Sequence, residues 1–113
     1  MDAALTQELL NFIRQCPSCF HTADVVAQKL RQAGFVPLAE GEVWKLQEGG
    51  CYYVTRNQSS LIAFRLPKGE MNGFMISAAH GESPCFKIKP VPELEGSGSY
   101  ARLNVERYGG MID

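Results

Sequence analysis

Leu5, Leu9, Leu10, Phe12 and Ile13 recur at helical spacing between about Ala3 and Gln15, and Pro17 stands just beyond. This predicts an amphipathic opening helix. A second apolar stripe, Ala23, Val26, Ala27, Leu30 and Ala33, predicts a helix from Thr22 to Ala33, with Thr22 as its cap and Gly34 as its stop. The period then changes. Phe35-Val36-Pro37-Leu38 reads as a short edge segment, because Pro37 has no N–H to give to a sheet ladder. Cys51 to Arg56 and Ser60 to Leu66 are rich in β-formers and are separated by Asn57-Gln58-Ser59, the pattern of a hairpin. Phe74 to Ala79 is a short, continuously apolar run between Gly73 and Gly81, which predicts a buried strand. A short strand from Cys85 to Lys89 follows, then Pro90 and Pro92 break the pattern, and alternation resumes from Tyr100 to Tyr108.

The fold class expected from this order is α/β, two N-terminal helices followed by about five strands. Helices that would cover the second face of such a sheet do not follow the strands, so the chain reads as an incomplete portion of a domain. Together with Pro90 and Pro92, the Gly96-Ser97-Gly98-Ser99 tract is a composition shift and a candidate subdomain boundary or hairpin loop.

At 113 residues, with 45% hydrophobic and 20% charged positions, the chain has the composition of one ordinary globular unit. Eleven basic against twelve acidic residues leave a net charge of -1, which gives no electrostatic footprint for nucleic acid or an anionic membrane. No apolar run approaches the roughly 20 residues of a membrane helix, and Met1-Asp2-Ala3-Ala4 lacks the charged-then-apolar pattern of a signal peptide. The expected location is cytoplasmic, with Cys16, Cys19, Cys51 and Cys85 as reduced thiols.

The chemistry-bearing stretch is Ser77 to Pro90. It sets His80 and, two residues on, Glu82 at the end of the apolar run, where a rigid strand could hold a ligand or catalytic group at the sheet's carboxyl edge. The spacing His-x-Glu by itself is unspecific, and a histidine hydrogen-bonded within its own loop is the plain alternative.

Several longer motifs, in one order, carry a resemblance. They are Cys16-Pro17-Ser18-Cys19-Phe20-His21, Leu30 to Phe35, Trp44, Tyr52 to Phe64, Ala79 to Pro90 and Val105 to Gly110. In these the chain resembles the amino-terminal segment of the aspartyl aminopeptidase family of zinc metallopeptidases. The resemblance implies a zinc-exopeptidase catalytic domain over residues 1–95 and the beginning of an inserted β/dimerisation subdomain over 96–113. It also implies a co-catalytic two-zinc site that removes amino-terminal, preferably acidic, residues from peptides, within a large homo-oligomer. The family's His-Thr-Asp motif falls on His80, Gly81 and Glu82. His80 thereby becomes a metal ligand and Glu82 the carboxylate that orients it. Gly81 stands where the family has threonine, and Glu82 where it has aspartate. The family's other ligands and its glutamate general base lie beyond residue 113, so the expectation for this chain alone is no peptidase activity. The competing expectation is a non-catalytic truncated module that associates with itself or with a full-length aminopeptidase.

Other candidate groups have plainer readings. Cys16-Pro17-Ser18-Cys19 with His21 could form a redox or zinc site, but the former needs a low-pKa thiol and the latter more ligands. Structural thiols, with His21 helping to cap the second helix, account for the pattern. Lys87 and Lys89 read as a solvated strand face, with proximity to an acidic substrate or partner as their functional alternative. Trp44, Tyr52, Tyr53 and Phe64 read as core, and Asn57 as a turn residue beside Arg56.

Overall fold

The computed structural model describes residues 2–96 and 98–110. They form two helices and five strands in two compact units, Met1–Glu82 and Ser83–Asp113. The boundary expected between residues 95 and 96 falls in the loop joining the two strands of the second unit.

Helix α1 spans Ala3–Gln15, as its periodicity predicts, and the side chain of Asp2 accepts a hydrogen bond from the Ala4 N–H at 3.0 Å to cap it. Its apolar stripe stays in solvent, with Leu5, Leu9 and Ile13 each more than half exposed. Helix α2 spans Cys19–Gln32, three residues longer at its start than expected. The cap is Ser18 and not Thr22. Ser18 Oγ accepts from the His21 N–H, and Thr22 Oγ1 donates to the Ser18 carbonyl at 3.1 Å. Cys19 and Phe20, four and three residues before Ala23, extend the stripe back by one turn, and the cap is set by the local Ser18 hydroxyl. The helix ends at Gln32 with Ala33 as its C-cap, one residue before the expected end, and Gly34 follows at φ +85°, a left-handed geometry that suits glycine.

Strands β1 (Val36–Leu38), β2 (Cys51–Arg56) and β3 (Ser60–Arg65) form one sheet in that order. β1 pairs parallel with β2 and lies at the edge, which tolerates Pro37, and β2 pairs antiparallel with β3. Asn57 and Gln58, at φ 50° and 55°, form a type I′ turn closed by the Ser59 N–H donating to the Arg56 carbonyl.

Successive side chains on β2 take opposite faces of the sheet, and both faces are occupied. On one, α2 packs against β2 and β3, and Arg31 Nε donates to the Tyr53 hydroxyl at 2.6 Å. On the other, the Tyr52 hydroxyl accepts from the Gln47 N–H at 2.8 Å, and its ring meets Phe64, against which Trp44 stacks. Among the described residues, the buried apolar ones are Ala23, Ala27, Tyr52 and Tyr53, so the core is small. Gly50 makes it possible, since a Cβ there would lie 2.5 Å from the Tyr52 ring. Of the four aromatics expected in the core, Trp44 stays 38% exposed and Phe64 is half-buried.

The expected strand Phe74 to Ala79 does not form. The segment makes no ladder within the described residues and lies exposed throughout. Apolar composition favours a strand only where a partner strand and a covering layer exist, and here the run meets neither.

In the second unit, β4 (Cys85–Leu94) pairs antiparallel with β5 (Arg102–Tyr108). β4 runs through Pro90 and Pro92, contrary to the expectation that they end it. Ile88 opposes Val105 and Glu93 opposes Leu103, so four residues, Lys89 to Pro92, face Asn104 alone. This bulge takes both prolines out of the ladder, where their missing N–H groups do no harm.

Candidate metal-ligand loop

His80 and Glu82 lie in the extended connection between the two sheets, not at a strand end, because the Phe74 to Ala79 strand is absent. His80 is exposed and makes no hydrogen bond with Glu82. Glu82, in contrast, is half-buried at the end of a run in which residues 71–81 are all exposed. Its carboxylate lies near the Cys19 thiol at the first helical position of α2. Partial burial pushes the Cys19 thiol above its usual range, and the nearby Glu82 carboxylate pushes it the same way. A raised thiol pKa lowers the thiolate fraction, the opposite of what activates a cysteine.

All four cysteines are free thiols. Ser18 Oγ and His21 Nδ1 lie 2.8 Å apart, which gives His21 the capping-associated role expected of it. Lys87 is exposed, with its ammonium 5.9 Å from the centre of the Tyr108 ring. Arg56 is engaged by Glu40 through two hydrogen bonds, at 2.6 and 2.9 Å. Sequence reasoning missed the proximity of Cys19 and Glu82, and no motif signals it, because the two residues belong to stretches far apart in the chain.

Among the described residues, no three histidine, cysteine, aspartate or glutamate side chains converge as a metal-binding group. A catalytic zinc needs about three protein ligands and an open position. The residues present therefore do not fit a complete zinc centre. What the loop offers is one solvent-facing imidazole two residues before the half-buried Glu82.

Comparison with known proteins gives this geometry its context. The family model for aminopeptidase I zinc metalloproteases (M18) matches residues 12–113, so the chain belongs to that family. It is 45% identical over 107 residues to a probable M18 family aminopeptidase 2 of Clostridium novyi, covering 93% of this chain and 25% of the relative. A probable M18 family aminopeptidase 2 of Pseudomonas fluorescens is 43% identical over 114 residues, covering 99% of this chain and 26% of the relative. The chain thus spans about a quarter of the length of these relatives and corresponds to their amino-terminal segment.

Solved structures agree. Chaetomium thermophilum mApe1 superposes with TM-score 0.81 at 35% identity, covering 97% of this chain and 26% of that one. A cryo-EM structure of a complex of Ape4 and Nbr1 gives TM-score 0.83 at 36% identity, covering 94% and 21%. The S. cerevisiae mApe1 dodecamer gives 0.74 at 28% identity, covering 96% and 26%. The fold is therefore a partial domain of an M18 aminopeptidase. No helix among the described residues is long and apolar enough to cross a membrane.

Proposed function

We propose that this chain forms the amino-terminal part of a cytoplasmic zinc aminopeptidase that removes amino-terminal, preferably acidic, residues from peptides and works as a homo-oligomer. In this reading His80 supplies one zinc ligand, and Glu82 is the carboxylate that fixes the imidazole. A ligating histidine usually donates its second ring N–H to such an acceptor, which sets tautomer and orientation. Residues 1–95 belong to the catalytic domain, and 96–113 begin the inserted β/dimerisation subdomain. The observation that carries the proposal is the family match over residues 12–113, with the His80 loop inside it.

Zinc, if held in the complete site, would activate water for attack on the first peptide bond. This chain's own contribution is to hold the imidazole and its acceptor. The test has two parts. The purified chain, given zinc and an acidic aminoacyl anilide, should show no turnover. Fused in place of the matching segment of the Pseudomonas fluorescens relative, it should support hydrolysis. In that fusion His80→Ala should remove activity and lower bound zinc, while Glu82→Gln should weaken either about 10- to 100-fold. Turnover by the chain alone, or a folded fusion indifferent to His80→Ala, would overturn the proposal.

One observation favours a second reading, a non-catalytic module that self-associates or binds a full-length aminopeptidase. The α1 stripe and Phe74 to Ile76 leave large apolar side chains in solvent, the kind of surface that associates. Size measurement separates the readings. A monomer that never co-purifies with a peptidase counts against the module.

A further inference from the structure

The sheet β1-β2-β3 has two edges of different kinds. β1 is three residues long and contains Pro37, which blunts it as a template for pairing. β3 is six residues long, holds no proline, and has no strand on its outer side among the described residues. The ladder fixes which of its backbone groups are left over. The Leu66 N–H donates to the Gly50 carbonyl at 2.9 Å, in register with the pairs Arg65–Cys51 and Phe64–Tyr52. Hydrogen-bonded pairs alternate along an antiparallel ladder, so Phe64 and Ile62 bond to β2, while Leu61, Ala63 and Arg65 turn their N–H and C=O groups outward. Ile62 shares the face of Phe64, on which Trp44 stacks, yet it is 67% exposed.

The same compact unit carries a segment with the complementary need. Phe74, Met75 and Ile76 are almost wholly exposed and have no ladder partner among the described residues. We infer that Phe74 to Ile76 of one copy adds as a strand to the open β3 edge of a second copy, each copy giving one strand and receiving one. The inference rests on the reading of this chain as a self-associating module, and it names the surface. Strand addition satisfies the outward backbone groups of β3, and pockets for alternate side chains set its register. Phe74 and Ile76 then share the face of Ile62 and Phe64 and enlarge the Trp44 cluster, and Met75 takes the other face. A second copy is the occupant because it carries both halves, and the run does not fold back on its own β3. A reciprocal exchange of this kind closes as a two-fold dimer. The two runs and the two Ile62 side chains bury on the order of 1,000 Å² in total, the lower end for a specific contact. The dimer is therefore weak, with a dissociation constant of about 10–100 µM. At the lower concentrations of a far-UV titration the run stays uncovered.

Sedimentation velocity on the 113-residue chain tests this. The mass should rise from one copy towards two between about 5 and 500 µM. Over the same range, hydrogen exchange should slow in Phe74 to Ile76 and at Ala63. Ala63→Pro removes an outward N–H without touching the β2 ladder, and it should raise the dissociation constant about tenfold or more, with Trp44 fluorescence unchanged. Ile76→Lys, in the unpaired run, leaves the sheet intact and should do the same.

A dimer indifferent to both variants overturns the strand exchange and leaves self-association standing. A single copy at every concentration overturns self-association and the exchange with it. Slow exchange in Phe74 to Ile76 that does not depend on concentration means that the run pairs within its own chain, and it overturns the second copy as occupant.

Discussion

β2 and the stretch Phe74 to Ile76 are both short and apolar, yet Tyr53 is 2% exposed and Met75 is fully so. The difference lies in their surroundings. β2 has a strand on each side, α2 over one face and Trp44 with Phe64 over the other. The second stretch has no ladder partner among the described residues. Buried apolar area is the main favourable term in folding, but it exists only where another layer excludes water. This pair of segments therefore separates what an apolar run can do from what its neighbours let it do.

If burial distinguishes the two, the largest effect should follow from emptying the better-covered one. Tyr53→Ala removes a buried ring and leaves Arg31 without its hydroxyl partner. It should destabilise the first unit by about 3–5 kcal/mol, read as a lower urea midpoint. Gly50→Ala sharpens the point from the opposite direction, since its new methyl would strike the Tyr52 ring. A loss of about 1–3 kcal/mol is expected, with the α1 and α2 far-UV signal retained in the absence of denaturant. Ile76→Ser, in the uncovered stretch, should change stability by under about 0.5 kcal/mol in the same titration. A loss comparable to that of Tyr53→Ala would show that Phe74 to Ile76 is buried in solution and would break the comparison.

The smallest effect concerns pH. The Arg56 hydrogen bond, reinforced by its charge, holds the Glu40 carboxyl below its ordinary value of 4.5. A carboxyl with a lowered folded-state value stabilises the fold above that ordinary value, and the contribution is lost as pH falls through the lower one. Glu40→Gln should flatten this acid limb of the stability profile. Both side chains are largely open to solvent, so the change is small and shrinks further in high salt.

The local features were legible without any structure. α1 matches its periodicity from Ala3 to Gln15, and the β2–β3 hairpin appears around Asn57 and Gln58. The stop at Gly34 and the edge position of Pro37 follow from single-residue chemistry. The Ser18 cap was readable in principle, because a serine one residue before a helix is itself a signal, but the expected start fell at Thr22. The motifs that carry the family resemblance were also legible, since they lie in contiguous stretches.

What the sequence determined by itself is thus the set of helices and hairpin strands, because caps, turns and periodicity act over a few residues. Family membership belongs with these, being carried by contiguous motifs. Tertiary structure alone decided that Phe74 to Ala79 stays out of the sheet, that β4 carries Pro90 and Pro92 past a bulge, and that Glu82 lies near Cys19. Each of these depends on which distant segment is present to pair, cover or approach, and such pairing is a property of the folded chain and not of any one window along it.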